Sequence, residues 1–153
     1  MGRATGGRPA GETATAEEVR SRRTDWPTAI ADSYRRLVGE PLCAPTELED
    51  LPAVVLCHDD SVDPILVFAN RAARDLWEAP LVGMPSRLTA PPEQRTERAV
   101  ALAGTGVVRG YSGVRVSATG RLFRIEDATV WPVLDAAGER VGQAATFARA
   151  VAL

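Results

Sequence analysis

The sequence predicts an α+β domain: a five-stranded antiparallel sheet with helices on one face and a further helix flanking it on the N-terminal side. Three observations lead there. An apolar stripe of helical period runs through residues 26–38, the C-terminal third switches to a period of two, and turn-forming residues separate the alternating runs. The length, 153 residues, suits one domain. At 45% apolar and 25% charged, the composition is that of a chain that buries a core.

Residues 1–23 are rich in Gly, Ala, Thr, Glu and Arg and hold no aromatic residue. They read as a flexible tail, which leaves 24–153 as the domain. Thr24 or Asp25 supplies an N-cap and Pro27 suits a first turn. Trp26, Ile30, Tyr34, Leu37 and Val38 then form one stripe, and Gly39 with Pro41 stops the helix, giving a flanking helix of about 25–39. So wide and aromatic a stripe is not expected to face water alone. A homodimer through this helix is the expected assembly.

Two β-rich runs follow, 53–57 and 65–68, joined by a polar, turn-prone segment and paired antiparallel. Asn70 caps a helix whose apolar face is Ala72, Ala73, Leu76 and Trp77, and Pro80 ends it. Gly83, Pro85, Pro91 and Pro92 break the middle into short turns. A longer helix is expected over 92–103, stopped by Gly104 and Gly106. The segments YSGVRVS, RLFRIEDATVWPVL and VGQAATFARA are the last three strands, with hairpin turns at 118–120 and 135–138.

Composition excludes several function classes. All 18 basic residues are arginine, and 20 acidic residues leave a net charge of −2, without the basic excess of a nucleic-acid binder. No apolar run is long enough for a membrane span or a secretory signal. The expected location is the cytoplasm, with Cys43 and Cys57 both reduced. Neither cysteine has the neighbours of a metal site.

Strand parity nominates the site. One face of the long strand carries Arg121, Phe123, Ile125, Asp127, Thr129 and Trp131, and its aromatics direct it at the helices. A turn pairing Ser117 with Arg121 puts Tyr111 and Arg115 on that face. Phe147 brings Gln143 inward with it. A bulge, for which Gly120 is the candidate, would invert the assignment. The inward set Tyr111, Arg115, Asp127, Thr129 and Gln143, with Trp131 and Trp77 as apolar walls, is the expected ligand-binding lining. Arg115 would hold an anionic or carbonyl group. Alternatively, Arg115 and Asp127 neutralise each other in a filled core.

His58, the sole histidine, stands beside Asp59 and Asp60. It reads either as an acid/base or proton-sensing group or as a loop cap. Cys57 has the opposite parity, which argues against a Cys–His dyad. Asp127 is the other acid/base candidate. Arg124 and Glu126 form an exposed or half-exposed ion pair of little consequence.

The stretches SYRRLVGEPL (33–42), VVLCHDDSVDPILVFANRAARDLWE (54–78), PSRLTAPP (85–92), YSGVRVSATGRLFRIEDATVW (111–131) and GQAATF (142–147) resemble the MEKHLA domain, a PAS-like family. The family occurs at the C-terminus of plant homeodomain–leucine-zipper class III proteins and as small bacterial proteins. The resemblance implies a PAS-like fold, a flanking helix packed on the outer sheet face or against a second subunit, and a sensory or interaction role. The plant DNA-binding segments have no counterpart here, so no nucleic-acid partner is expected.

Within that resemblance, flavin chemistry of the light-oxygen-voltage (LOV) type requires a cysteine in 79–92, and PAS haem ligation a histidine in the 92–103 helix. Neither is present, so both are disfavoured and no cofactor is expected, with non-covalent flavin binding left as an open alternative. The leading reading is a module that binds an unknown small molecule, or a protein partner, and signals through association. A small enzyme using His58 or Asp127 is the second, and a dimerisation scaffold with a filled core the third.

Overall fold

Each early element of the fold is closed by a local capping group. The computed structural model describes residues 15–95 and 106–153. Helix α1, Ala16–Arg23, opens on a capping box: the Thr15 hydroxyl accepts from the Glu18 amide, and the Glu18 carboxylate accepts from the Thr15 amide. The flexible stretch expected to reach residue 23 therefore gives way to helix at residue 16; residues 1–14 lie outside the described residues. Helix α2, Trp26–Val38, has Asp25 as N-cap and ends at Gly39, whose φ of 95° is left-handed.

Strands β1 (Val54–Asp59) and β2 (Leu66–Ala69) pair antiparallel, and helix α3 (Arg71–Trp77) follows. The Asp59 carboxylate accepts from the Ser61 and Ile65 amides and closes the β1–β2 turn. Fully buried Asn70 joins three segments. Its carbonyl oxygen accepts from the Val55 and Ala73 amides, and its amide donates to the Leu48 and Ala53 carbonyls. Every polar atom of that side chain is thereby satisfied.

Strands β3 (Val108–Val116), β4 (Leu122–Leu134), β5 (Arg140–Phe147) and β6 (Arg149–Ala152) complete an antiparallel sheet in the order β2-β1-β5-β4-β3. The sixth strand, not expected, continues along the flank of β4 that β5 occupies, with Phe123 opposite Ala152. The expected 117–121 turn is present: the Ser117 amide donates to the Arg121 carbonyl. Of the expected 92–103 helix, a short 3-10 turn at Pro92–Gln94 is seen and residues 96–103 lie outside the described residues.

Helices cover both sheet faces, not one. On the inner face α3 sets Ala73 and Trp77 against Phe123, Ile125, Ala128 and Phe147. On the outer face α2 sets Ile30, Tyr34 and Val38 against Cys57, Trp131, Val133 and Val141. Tyr34 meets Trp131 edge-on at 4.7 Å. The stripe that motivated a helix-mediated homodimer is thus covered by the chain's own sheet; only Leu37 remains notably exposed, at 37%.

A bulge divides the faces of β4. Asp127 has φ 55°, and the β3–β4 register shifts on either side of the Tyr111–Ala128 pair. Phe123 and Ile125 point inward before it. After it Ala128 and Val130 point inward, and Trp131 and Val133 turn outward. The inversion lies at Asp127 rather than at Gly120.

Candidate functional site

Between the inner sheet face and α3 lies a cavity of about 40 Å³. Strand β3 supplies its most polar wall through alternate residues. Tyr111, Gly113 and Arg115 share one face, and Arg115 is 5% exposed. Its guanidinium donates to the Val114 carbonyl at 2.9 Å and to the Tyr111 hydroxyl at 3.1 Å, and it lies 5.5 Å from the Tyr111 ring centre.

Gly113 makes that arrangement possible. A Cβ there would stand 2.5 Å from the Tyr111 hydroxyl and 2.8 Å from Nη1 of Arg115. The three residues act as a unit: glycine clears the strand surface so that two long polar side chains lie across it. Among the described residues no carboxylate pairs with Arg115.

The remaining walls come from β1, β5 and α3. His58 and Gln143 add polar edges, and Leu56, Ala145, Phe147, Val130 and Ile125 the apolar ones. Trp77 closes the far side. Its indole donates to the Thr89 carbonyl at 3.2 Å, and its ring meets Phe123 and Phe147 edge-on. Nδ1 of His58 lies 2.7 Å from the Asp59 carbonyl, in keeping with a loop-capping role.

Tyr111, Arg115, Gln143 and Trp77 are therefore brought together as expected, and His58 joins them. Three expected lining residues are not there. Asp127 is exposed on the bulge and forms no pair with Arg115, so the alternative of an Arg115–Asp127 couple in the core is overturned. Thr129 alternates with Ala128 and Val130 and so lies on the outer side. Trp131 is fully buried in the α2 core, where its indole donates to the Ile30 carbonyl. Arg124 and Glu126 do form their expected half-exposed ion pair, at 3.3 Å.

Sequence reading missed Gly113 and Thr89. The Tyr-x-Gly-x-Arg spacing on a strand was the available signal for the first; nothing local marks the second. Cys57 is fully buried on the outer face, where burial first, then Asp60 and Asp59, push its thiol well up. Among the described residues no group of three His, Cys, Asp or Glu side chains converges to hold a metal. No helix among them is long and apolar enough to cross a membrane.

The MEKHLA domain family model matches residues 24–151, which takes in the sheet, α2 and α3 together. The chain belongs to the MEKHLA domain family. Solved structures similar to this MEKHLA domain include an RNA-binding light-oxygen-voltage receptor, at 21% identity and TM-score 0.55 over 67% of this chain. The match spans 30% of that receptor. The PAS domain of a protein from Colwellia psychrerythraea matches at 14% identity and TM-score 0.54, over 71% of this chain and 92% of its own. The photo-excited blue-light photoreceptor Vivid matches at 16% identity and TM-score 0.52, over 63% of this chain and 78% of its own. At these identities the likeness establishes a PAS-like fold. No curated protein sequence matches the chain.

Proposed function

We propose that this MEKHLA domain is a signal-sensing module that takes a small molecule into the cavity between the inner sheet face and α3. One observation carries the reading: a small, partly open cavity in which Tyr111 and Arg115, laid across Gly113, confront the apolar walls Trp77 and Phe147. Few, well-placed polar groups among apolar surfaces are what orients a small ligand.

Among the described residues little supports a flavin site. A cavity of about 40 Å³ is far below the several hundred Å³ typical of sites for larger ligands, and Cys57 and Cys43 both belong to the outer-face core. The proposal therefore includes no flavin or haem. Catalysis ranks second, since Asp127 stands outside the cavity and leaves His58 alone of the two acid/base candidates. Signalling is proposed to pass to a protein partner, on a surface other than the α2 stripe. The two free cysteines favour a cytoplasmic setting.

The test is acid extraction of the purified protein with mass spectrometry of the extract, beside a thermal-shift screen of small metabolites. A released compound, or a saturable stabiliser that Ala145→Leu abolishes, is the expected result. An empty extract, no stabiliser, and a higher melting temperature in Ala145→Leu together overturn the reading.

A further inference from the structure

We infer that the cavity selects a small oxyanion, a carboxylate of one to three carbons, and that Arg115 is the group that binds it. The inference rests on the ligand-binding reading above and names the ligand's class. Three features of the site lead to it.

The first is charge. Arg115 is 5% exposed and carries a permanent positive charge. A buried ion is normally matched by a counter-ion, because leaving water unpaired is costly. Among the described residues, Arg115 meets only the Val114 carbonyl and the Tyr111 hydroxyl. Two of its five N–H donors are used, and the fork that suits a carboxylate is not filled.

The second is direction. The Tyr111 hydroxyl accepts from Nη2 of Arg115, so its own proton remains to be donated. An oxyanion beside Arg115 would receive charge-assisted bonds from the guanidinium and a further one from the phenol. A cation or a pure hydrogen-bond donor would find no such match there.

The third is size. At roughly 10–15 Å³ for each water-sized occupant, a cavity of about 40 Å³ admits a few heavy atoms. Formate and acetate have that size, while aromatic acids and nucleotides do not. Gly113 belongs to the same design, since any side chain there would drive into Tyr111 and Arg115.

Calorimetric titration of the full chain with sodium formate and sodium acetate, at constant ionic strength in chloride, tests this, with acetamide as the neutral analogue of acetate. Saturable acetate binding is expected, at least tenfold weaker for acetamide. Arg115→Gln should weaken acetate at least tenfold, and Ala145→Leu, which fills the cavity without altering the guanidinium, should abolish it. Arg149→Gln, an exposed arginine on β6, should leave it unchanged. In carboxylate-free chloride buffer Arg115→Met should melt no lower than the wild type, because it removes an unmatched charge. Equal binding of acetamide and acetate overturns the oxyanion inference and leaves the pocket reading intact, as does an extracted ligand that is neutral. Acetate affinity that survives both Arg115→Gln and Ala145→Leu also overturns it. No binding of any probe overturns the inference; joined to an empty extract, no stabiliser and a higher melting temperature in Ala145→Leu, it overturns the pocket reading as well.

Discussion

The indole N–H of Trp131 donates to the Ile30 carbonyl across 3.3 Å, and this bond fastens the middle of α2 to β4. Trp131 is fully buried, and Tyr34 packs edge-on against it one helical turn beyond Ile30. Trp131→Ala is expected to cost roughly 3–5 kcal/mol in urea unfolding. Trp131→Phe keeps most of the apolar area and should cost about 1 kcal/mol for the lost hydrogen bond. Acetate affinity should be the same in Trp131→Phe as in the wild type; a change would return Trp131 to the ligand site.

Asp127 offers the opposite expectation. It is exposed, left-handed at φ 55°, and unpaired with Arg115. Asp127→Asn should shift stability by less than about 0.5 kcal/mol. Asp127→Gly, which releases the side chain from a left-handed backbone, should raise it by up to ~1 kcal/mol. A large loss in Asp127→Asn would show the carboxylate to be a structural partner.

Part of the acid sensitivity should trace to Glu78. Hydrogen bonds from Thr119, then Arg121, hold its carboxyl down from 4.5 to about 2. The folded-state value lies below the unfolded one, so its contribution is present above about pH 4.5 and is lost as pH falls toward 2. Glu78→Gln should flatten the stability profile across that window. An unaltered acid limb would assign the sensitivity to other carboxylates.

Thiol chemistry should separate the two cysteines. Cys57 is 0% exposed with its thiol pushed well up, while Cys43 is half-buried and only raised, by burial and then Glu47. Native protein should be alkylated slowly at Cys43 alone, and Cys57 should react after denaturation. Native labelling of Cys57 would mean that α2 lifts off the sheet.

Local signals account for what the sequence disclosed. The bounds of α2 were readable because Asp25, the apolar stripe and Gly39 lie within one short stretch, and the 117–121 hairpin likewise carries its own turn. The convergence of Tyr111, Arg115, Gln143 and Trp77 followed from parity and aromatic placement. Parity failed beyond Asp127, since a bulge is a backbone decision that an alternating pattern conceals. The consecutive polar residues Glu126 and Asp127 were its only local mark. For α2 the outer sheet face was one of two expected partners, the other being a second subunit; the choice between them was not legible, because the packing joins residues far apart in the chain.

That last junction has a consequence for how the protein is made. The bond from Trp131 to Ile30 closes a span of 101 positions. At roughly 5–20 residues per second of synthesis, α2 waits about 5–20 s for the strand that covers its stripe. Contacts this distant also close slowly once the chain is free. The earliest-made wall of the outer core is thus among the last to be sealed, and a ribosome stalled before β4 holds a chain with Ile30 and Tyr34 still bare.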